Sequence, residues 1–313
     1  MSEQKIAFLF PGQGSQTVGM GRDLAEKFTI ARDTFAEADA ALGYSLSKLC
    51  FEGPVEQLKQ TEFTQPAIFA VSMAAYRVLA SRSIEPQIAA GHSLGEYAAG
   101  VAAGVMSFAD AIRALRSRGQ FMQEAVPEGR GAMAAILGLD ADAVRAVCEA
   151  AARETNEVVS PANLNSPQQV VISGSAAGVA RASQLATEKG AMRVVPLQVS
   201  APFHCALMQP AQDKLAEVLK QIEVHDPHFP IVSNVTADVT RRGGRERELL
   251  VEQVTAPVRW AESMRRMIEE GASFFVEVGP GKVLTGLLRQ IDRAQKCVNV
   301  EDSASLEKAL AGN

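Results

Sequence analysis

The sequence predicts an α/β protein in which a larger domain, built on a parallel sheet, carries a smaller βαββαβ domain inserted within it. Three observations predict it. Short apolar runs of strand type alternate with helical patterns along most of the 313 residues. One such run leads into Gly91-His92-Ser93-Leu94-Gly95 and a helical pattern follows, the strand–turn–helix order in which a G-x-S-x-G segment projects its serine. Past residue 128 the order changes to run, helix, run, run, helix, run, and elements of the first kind resume after it.

In chain order, Lys5 to Phe10 reads as a strand that stops at the turn-rich Pro11-Gly12-Gln13-Gly14-Ser15-Gln16, before a helical pattern around Leu24 and Phe28. Gln65 to Leu79 reads as a helix, Pro86 to Ala90 as a small buried strand, and the stretch after Gly95 as one long helical region to about Ala125. Strands at Ala132–Leu139, Val158–Ala162, Val170–Ser173 and Met192–Val199, with helices at Asp142–Ala152 and Ala177–Glu188, give a ferredoxin-like arrangement. Residues 129–197 are therefore expected to form an inserted subdomain, and 1–128 with 198–313 an α/β-hydrolase-like catalytic domain, with the substrate site in the cleft between them. A helix near Ala211–Lys220, a strand at Pro230–Asn234, a helix near Trp260–Glu270, a strand at Ser273–Val278 and a helix opened by Gly279-Pro280-Gly281 complete the chain.

Bulk composition narrows the function. With 47% hydrophobic and 21% charged residues, this is the composition of a folded globular enzyme. The net charge of −5 argues against a nucleic-acid binder, which needs a basic surplus to displace counterions. No apolar run approaches the ~20 residues that span a bilayer, and the start does not resemble a leader, so a cytoplasmic protein without membrane partners is expected. Cys50, Cys148, Cys205 and Cys297 form no CxxC pair, which predicts reduced thiols and no zinc site.

Ser93 is the candidate nucleophile; the competing reading of the pentapeptide is a chance match in a small-residue loop. Its base is sought among four histidines. His92 adjoins Ser93 and must point away from it, as a packing or capping residue. His225 and His228 sit in a proline-punctuated segment expected at the surface. His204 follows a strand end, where active sites of parallel sheets collect, and is the candidate base. No Asp or Glu stands out as a third member, so a neutral acceptor such as a backbone carbonyl is expected to orient the imidazole. The N–H of Leu94, at the start of the following helix, is one candidate oxyanion donor. The N–H of Gln13 in the first glycine-flanked turn is the other, an ordinary turn being the alternative; Gly12-Gln13-Gly14 lacks the Gly-Lys-Ser/Thr of a phosphate loop. In the helix bearing Phe108, Ile112, Leu115, Gly119 and Met122 on one face, Arg118 lies nearer that face than Arg116 by a small margin, and Arg113 lies opposite. A guanidinium turned inward there would take a ligand carboxylate, unless a protein Asp or Glu pairs with it.

Taken together, FPGQGSQ at 10–16, FTQPA at 63–67, GHSLGE at 91–96, Arg118, ANLNSP at 162–167, SAPFH at 200–204 and VGPGKVL at 278–284 resemble the malonyl-CoA:acyl carrier protein transacylases, a family of stand-alone acyltransferases. The resemblance covers essentially the whole chain. It implies that Ser93 accepts malonyl from malonyl-CoA and passes it to the thiol of acyl carrier protein in fatty acid biosynthesis, with His204 as base and the N–H groups of Gln13 and Leu94 as oxyanion hole. It further implies that Arg118 holds the malonyl carboxylate, that the backbone carbonyl of Gln253 orients His204, and that Gln65 and Asn163 line the pocket or its CoA side. Phe203 before His204 resembles the form associated with malonyl selection in polyketide acyltransferase domains. No metal or other cofactor is expected, and a monomer acting in trans is.

Three rivals remain open on the sequence: a serine esterase or thioesterase using the same elbow, a non-enzymatic domain binding CoA or carrier protein, and an acyltransferase supplying a polyketide assembly line. The basic run Arg241, Arg242, Arg245 and Arg247 is expected to be a solvated loop, with docking of an acidic partner as the alternative; Lys282 and Arg289 are comparable docking candidates.

Overall fold

Strand β1 (Lys5–Phe10) is apolar on both faces because it lies mid-sheet between two helical layers. Ala7 and Leu9 pack into one hydrophobic cluster with Ile88, Phe275 and Trp260, whereas Phe8 and Phe10 enter the larger cluster on the other face. The structure, a computed structural model, describes residues 5–199 and 201–311. Ten strands are present among them: β1, β2 (Ile88–Gly91), β3 (Gly131–Leu137), β4 (Val159–Ser166), β5 (Gln169–Ser175), β6 (Arg193–Pro196), β7 (Ile231–Val232), β8 (Val239–Thr240), β9 (Ala272–Val278) and β10 (Lys296–Val300).

They form two sheets. The larger has the order β10-β9-β1-β2-β7-β8. It is parallel from β10 to β7, and only the edge strand β8 runs antiparallel. The smaller sheet has the order β4-β5-β3-β6 and is antiparallel throughout. Helices Ala141–Thr155 and Ala176–Glu188 bury Val144, Val147, Cys148, Val179 and Ala182 against it in a core of their own. The sheets are tied where Val258 donates to the Ala162 carbonyl and accepts from the Leu164 N–H, both at 2.8 Å.

Several expected elements differ. The long helical region after Gly95 is two helices, Gly95–Ala102 and Phe108–Glu124, broken where Gly104 takes a left-handed φ of +79°. Ser107 starts the second by accepting from the Asp110 N–H at 3.1 Å. The run Met192–Val199 pairs only over Arg193–Pro196, and Pro230–Asn234 only over Ile231–Val232. The basic run is a loop only at Arg241 and Arg242; Arg245 and Arg247 lie in a helix spanning Gly243–Glu252. Its charges are engaged within the chain, Arg241 with Glu270, Arg242 with Asp226, and Arg245 with Glu248 and Glu252. His225 and His228 are both exposed, at the surface as expected.

Candidate active site

The strand ends of β1 and β2 bring the first residues of the site together. Gly91 closes β2, and an added Cβ there would lie 1.9 Å from the carbonyl carbon of Gly95, while one on Gly95 would lie 2.2 Å from the Phe10 carbonyl oxygen. Both contacts are too close for any side chain, so the two glycines let the elbow turn sharply and seat it against the loop after β1. Ser93 sits at the apex with φ +52°, a strained conformation for a residue with a Cβ, and the following helix starts at Gly95.

His204 reaches the serine from the segment beyond the small sheet. It also has a left-handed φ, +59°, and is 3% exposed. Its Nε2 lies 2.8 Å from the Ser93 Oγ, and its Nδ1 lies 2.8 Å from the backbone carbonyl oxygen of Gln253. A carbonyl can only accept, so Nδ1 carries the proton and Nε2 is left as the acceptor for the serine hydroxyl. Burial, and secondarily the neighbouring Arg118 charge, pull the imidazole down to about 3, so it is neutral at physiological pH. Ser200, the first residue of the SAPFH segment, lies outside the described residues.

Arg118 is 1% exposed on the helix Phe108–Glu124. Nη1 donates to Gln65 Oε1 at 2.8 Å, and Nη2 donates to Gln253 Oε1 at 3.0 Å and to the Ser93 Oγ at 3.1 Å. Its Nε has no acceptor, and no carboxylate stands within ion-pair distance of it among the described residues. The guanidinium is thus held by neutral groups and keeps its charge for the cavity. Arg116 instead pairs with Glu62 at 2.6 Å over the Phe63 ring, which settles the narrow choice between the two arginines.

A cavity of about 680 Å³ opens over these groups and is lined by Gln13, Gln65, Ser93, Leu94, Arg118, Asn163 and His204. Gln253 lies beneath it, fully buried. Neither the Gln13 nor the Leu94 N–H has a protein acceptor among the described residues, whereas the Ser93 N–H is taken by Asn234 Oδ1 at 2.7 Å. His92 turns away from the serine, packs tilted against the Trp260 ring and meets Asn165 Oδ1 at 2.9 Å.

Two residues of the site carry little signal in the sequence. Asn234, just past β7, ties the strand ends together, its Oδ1 on Ser93 and its Nδ2 donating to the Gly91 carbonyl at 2.7 Å. Glu96 accepts from Gln253 Nε2 at 2.6 Å and from the Asn234 N–H at 3.1 Å. A lone acid ahead of the apolar stretch Tyr97–Ala103 is the readable sign of Glu96; Asn234 has only its place at a strand end. Among the described residues no cluster of His, Cys, Asp or Glu is arranged to hold a metal, and no helix is long and apolar enough to cross a membrane.

Similarity to known proteins runs along nearly the whole chain. The malonyl CoA-acyl carrier protein transacylase of Escherichia coli (strain K12) is 52% identical over 307 residues, 98% of this chain and 99% of that protein. The Bacillus subtilis (strain 168) protein of the same name is 50% identical over 306 residues, 98% and 96% of the two chains. Among solved structures, an acyl carrier protein S-malonyltransferase from Vibrio cholerae superposes with TM-score 0.95 at 48% identity, covering 98% of this chain and 100% of that one. A malonyl-transacylase solved in complex with a type II PKS acyl-carrier protein gives 0.96 at 48% identity, with 99% and 100% covered. The family model for the acyl transferase domain matches residues 7–308, a span that holds every residue of the site, and the chain belongs to that family.

Proposed function

We propose that the protein transfers malonyl from malonyl-CoA to the phosphopantetheine thiol of acyl carrier protein through an ester on Ser93. The observation that carries this reading is the Ser93 Oγ held between His204 Nε2 at 2.8 Å and Arg118 Nη2 at 3.1 Å: a nucleophile whose neighbours are a neutral base and a cation without a carboxylate partner.

His204 takes the Ser93 proton on Nε2 while Oγ attacks the thioester carbon. The oxyanion rests against the N–H groups of Gln13 and Leu94; the C–S bond then breaks and His204 returns the proton to the leaving CoA thiolate. The carrier thiol repeats these steps in reverse, giving its proton to His204 and restoring Ser93. Arg118 binds the malonyl carboxylate bidentately, and Gln65 and Asn163 face the acyl and pantetheine portions. The Gln253 carbonyl keeps Nδ1 protonated through both halves. Base, oxyanion donors and cation all come from the chain, so the reaction needs no metal or cofactor.

The same reading makes residues 129–197 a ferredoxin-like subdomain inserted into an α/β-hydrolase-like domain of residues 1–128 and 198–313; the strand order β4-β5-β3-β6 supports it. It also makes the protein a cytoplasmic monomer acting in trans. A second reading, supply of a polyketide carrier, is favoured by the neighbour solved with a type II PKS carrier. Discharge rates onto the two carrier types, measured side by side, separate them.

Intact-protein mass after mixing with malonyl-CoA tests the transfer. Wild type should gain one malonyl, lose it on addition of holo carrier protein, and Ser93→Ala should gain none. Free malonate formed without an adduct or any need for carrier would make the protein a hydrolase instead.

A further inference from the structure

Two carboxyl groups lie beneath the acyl site, and neither takes part in the steps above. Glu96, in the first turn of the helix after the elbow, and Glu246, in the helix Gly243–Glu252, are fully buried, and their side chains meet within hydrogen-bonding reach. Oε2 of Glu96 is well supplied with donors, from Gln253 and Asn234. Oε1 of Glu96 and both oxygens of Glu246 find no donor in the protein among the described residues. Two carboxylates so placed would repel each other away from water, whereas one proton between them would be the missing donor.

The charged groups around the pair agree with this. Arg118 acts on Glu96 from the helix Phe108–Glu124, and the charge acting on Glu246 is that of Glu96. The Tyr97 hydroxyl, in the field of both, is raised by burial and stays neutral. Ser233 and Asn234, just past β7, are neutral and bring no charge to the pair. Neither the helix Gln209–Lys220 nor β8, both packed on the Glu246 helix, brings a charge to it. Burial raises Glu96 to about 7; burial and the Glu96 charge raise Glu246 well above the usual carboxylate range.

We propose that Glu96 and Glu246 hold a single proton between them and, as a pair of charge −1, act as positioning residues for the acyl-transfer site. With Nε2 drawn to the carboxylate, the Gln253 amide must turn Oε1 to Arg118, and its backbone carbonyl meets His204. Asn234, fixed through its N–H, carries the Ser93 N–H on its side chain. The protonated partner lets this carboxylate remain under the site without a second buried negative charge.

The kinetic half of the proposal rests on the transferase reading; the shared proton does not, and two measurements keep them apart. The first compares melting temperatures of wild type and Glu246→Gln from pH 5 to pH 8. A carboxyl raised by folding holds a proton that the unfolded chain gives up, so wild type loses stability as pH rises through this window, and the amide variant is spared that loss. The gap, variant minus wild type, should widen steadily with pH; a constant gap overturns the shared proton. The second compares malonyl transfer by Glu246→Leu, which leaves Glu96 without its donor, and by Glu246→Gln, which keeps one. The leucine variant should lose at least fivefold in kcat and the glutamine variant recover most of it. Transfer by leucine at the wild-type rate, or no recovery with glutamine, overturns the positioning role. If wild type forms no acyl-Ser93, the transferase reading fails and the positioning role with it, while the melting series still decides the proton.

Discussion

With the imidazole of His204 pulled down to about 3, the candidate base is already deprotonated far below the ordinary histidine range, and Nε2 faces the serine. The acid limb of kcat/KM for malonyl-CoA should therefore fall well below pH 6.5, the value of an unperturbed histidine; a limb centred at 6.5 would mean that the free enzyme's base is solvated. Arg118 makes a prediction of a different kind. Charge-assisted hydrogen bonds contribute about 1.5–3 kcal/mol each, so Arg118→Ala should slow malonyl loading on the order of 10–100-fold and shift preference toward acetyl-CoA. Unchanged malonyl loading with no gain for acetyl would remove Arg118 from the substrate. At this scale the sequence is informative where chemistry limits the choice: one elbow serine, and four histidines of which His92, His225 and His228 are directed elsewhere by their neighbours in the chain. Arg118 over Arg116 is a narrow angular preference, since both flank the buried stripe and only the tertiary neighbour, Glu62, separates them. Asn234 is not legible because its role depends on β2 and β7 being adjacent, which no local pattern states.

Among the elements, the elbow is the most constrained. A Gly91→Ala change would place Cβ inside the backbone of Gly95 and Glu96, with no flexible side chain to give way. It should destabilise by more than about 3 kcal/mol, in the range of severe backbone disruption, and show as loss of soluble protein or a sharply lowered Tm. An alanine variant as stable as wild type would mean that the turn is looser than described. Strands in the middle of the parallel sheet are readable because burial on both faces leaves continuous apolar runs, as in Lys5–Phe10 and Ser273–Val278. The elements not foreseen are short or marginal. β8 has two residues, and β10, Lys-Cys-Val-Asn-Val at a sheet edge, is mostly half-buried and lacks a clean alternation. The helix Gly243–Glu252 opens on two glycines and is crowded with charge, which resembles a loop until its i,i+3 ion pair between Arg245 and Glu248 is seen.

For the molecule as a whole, the site is an assembly across long separations in sequence. The candidate nucleophile comes from the end of β2, one candidate oxyanion donor from the loop after β1, the candidate base from beyond the small sheet, and the carbonyl bonded to its Nδ1 from the end of the helix Gly243–Glu252. The α/β class and the alternation of elements are legible, because they follow from periodicity; the sheet order is not, because it follows from which strands meet. Keeping His204 neutral has a global cost. The unfolded chain binds a proton at this histidine near pH 6.5 and the folded one only near 3, so stability contributed above 6.5 is lost as pH falls through that window, by about 1.4 kcal/mol per pH unit. Denaturant unfolding of wild type beside His204→Gln should show the wild type losing its advantage between pH 6.5 and 5, and parallel curves would place the histidine in water.

The contact between Arg118 Nη2 and the Ser93 Oγ has one more consequence. The guanidinium engages one of the two lone pairs of the candidate nucleophile's oxygen and so lowers its nucleophilicity. On the proposed reading, a malonyl carboxylate that drew Nη2 to itself would release that lone pair; water or an acyl group without a carboxylate would not. Selection for malonyl would then act on the rate of attack as well as on binding, which a higher kcat for acetyl-CoA in Arg118→Ala, at little change in KM, would reveal.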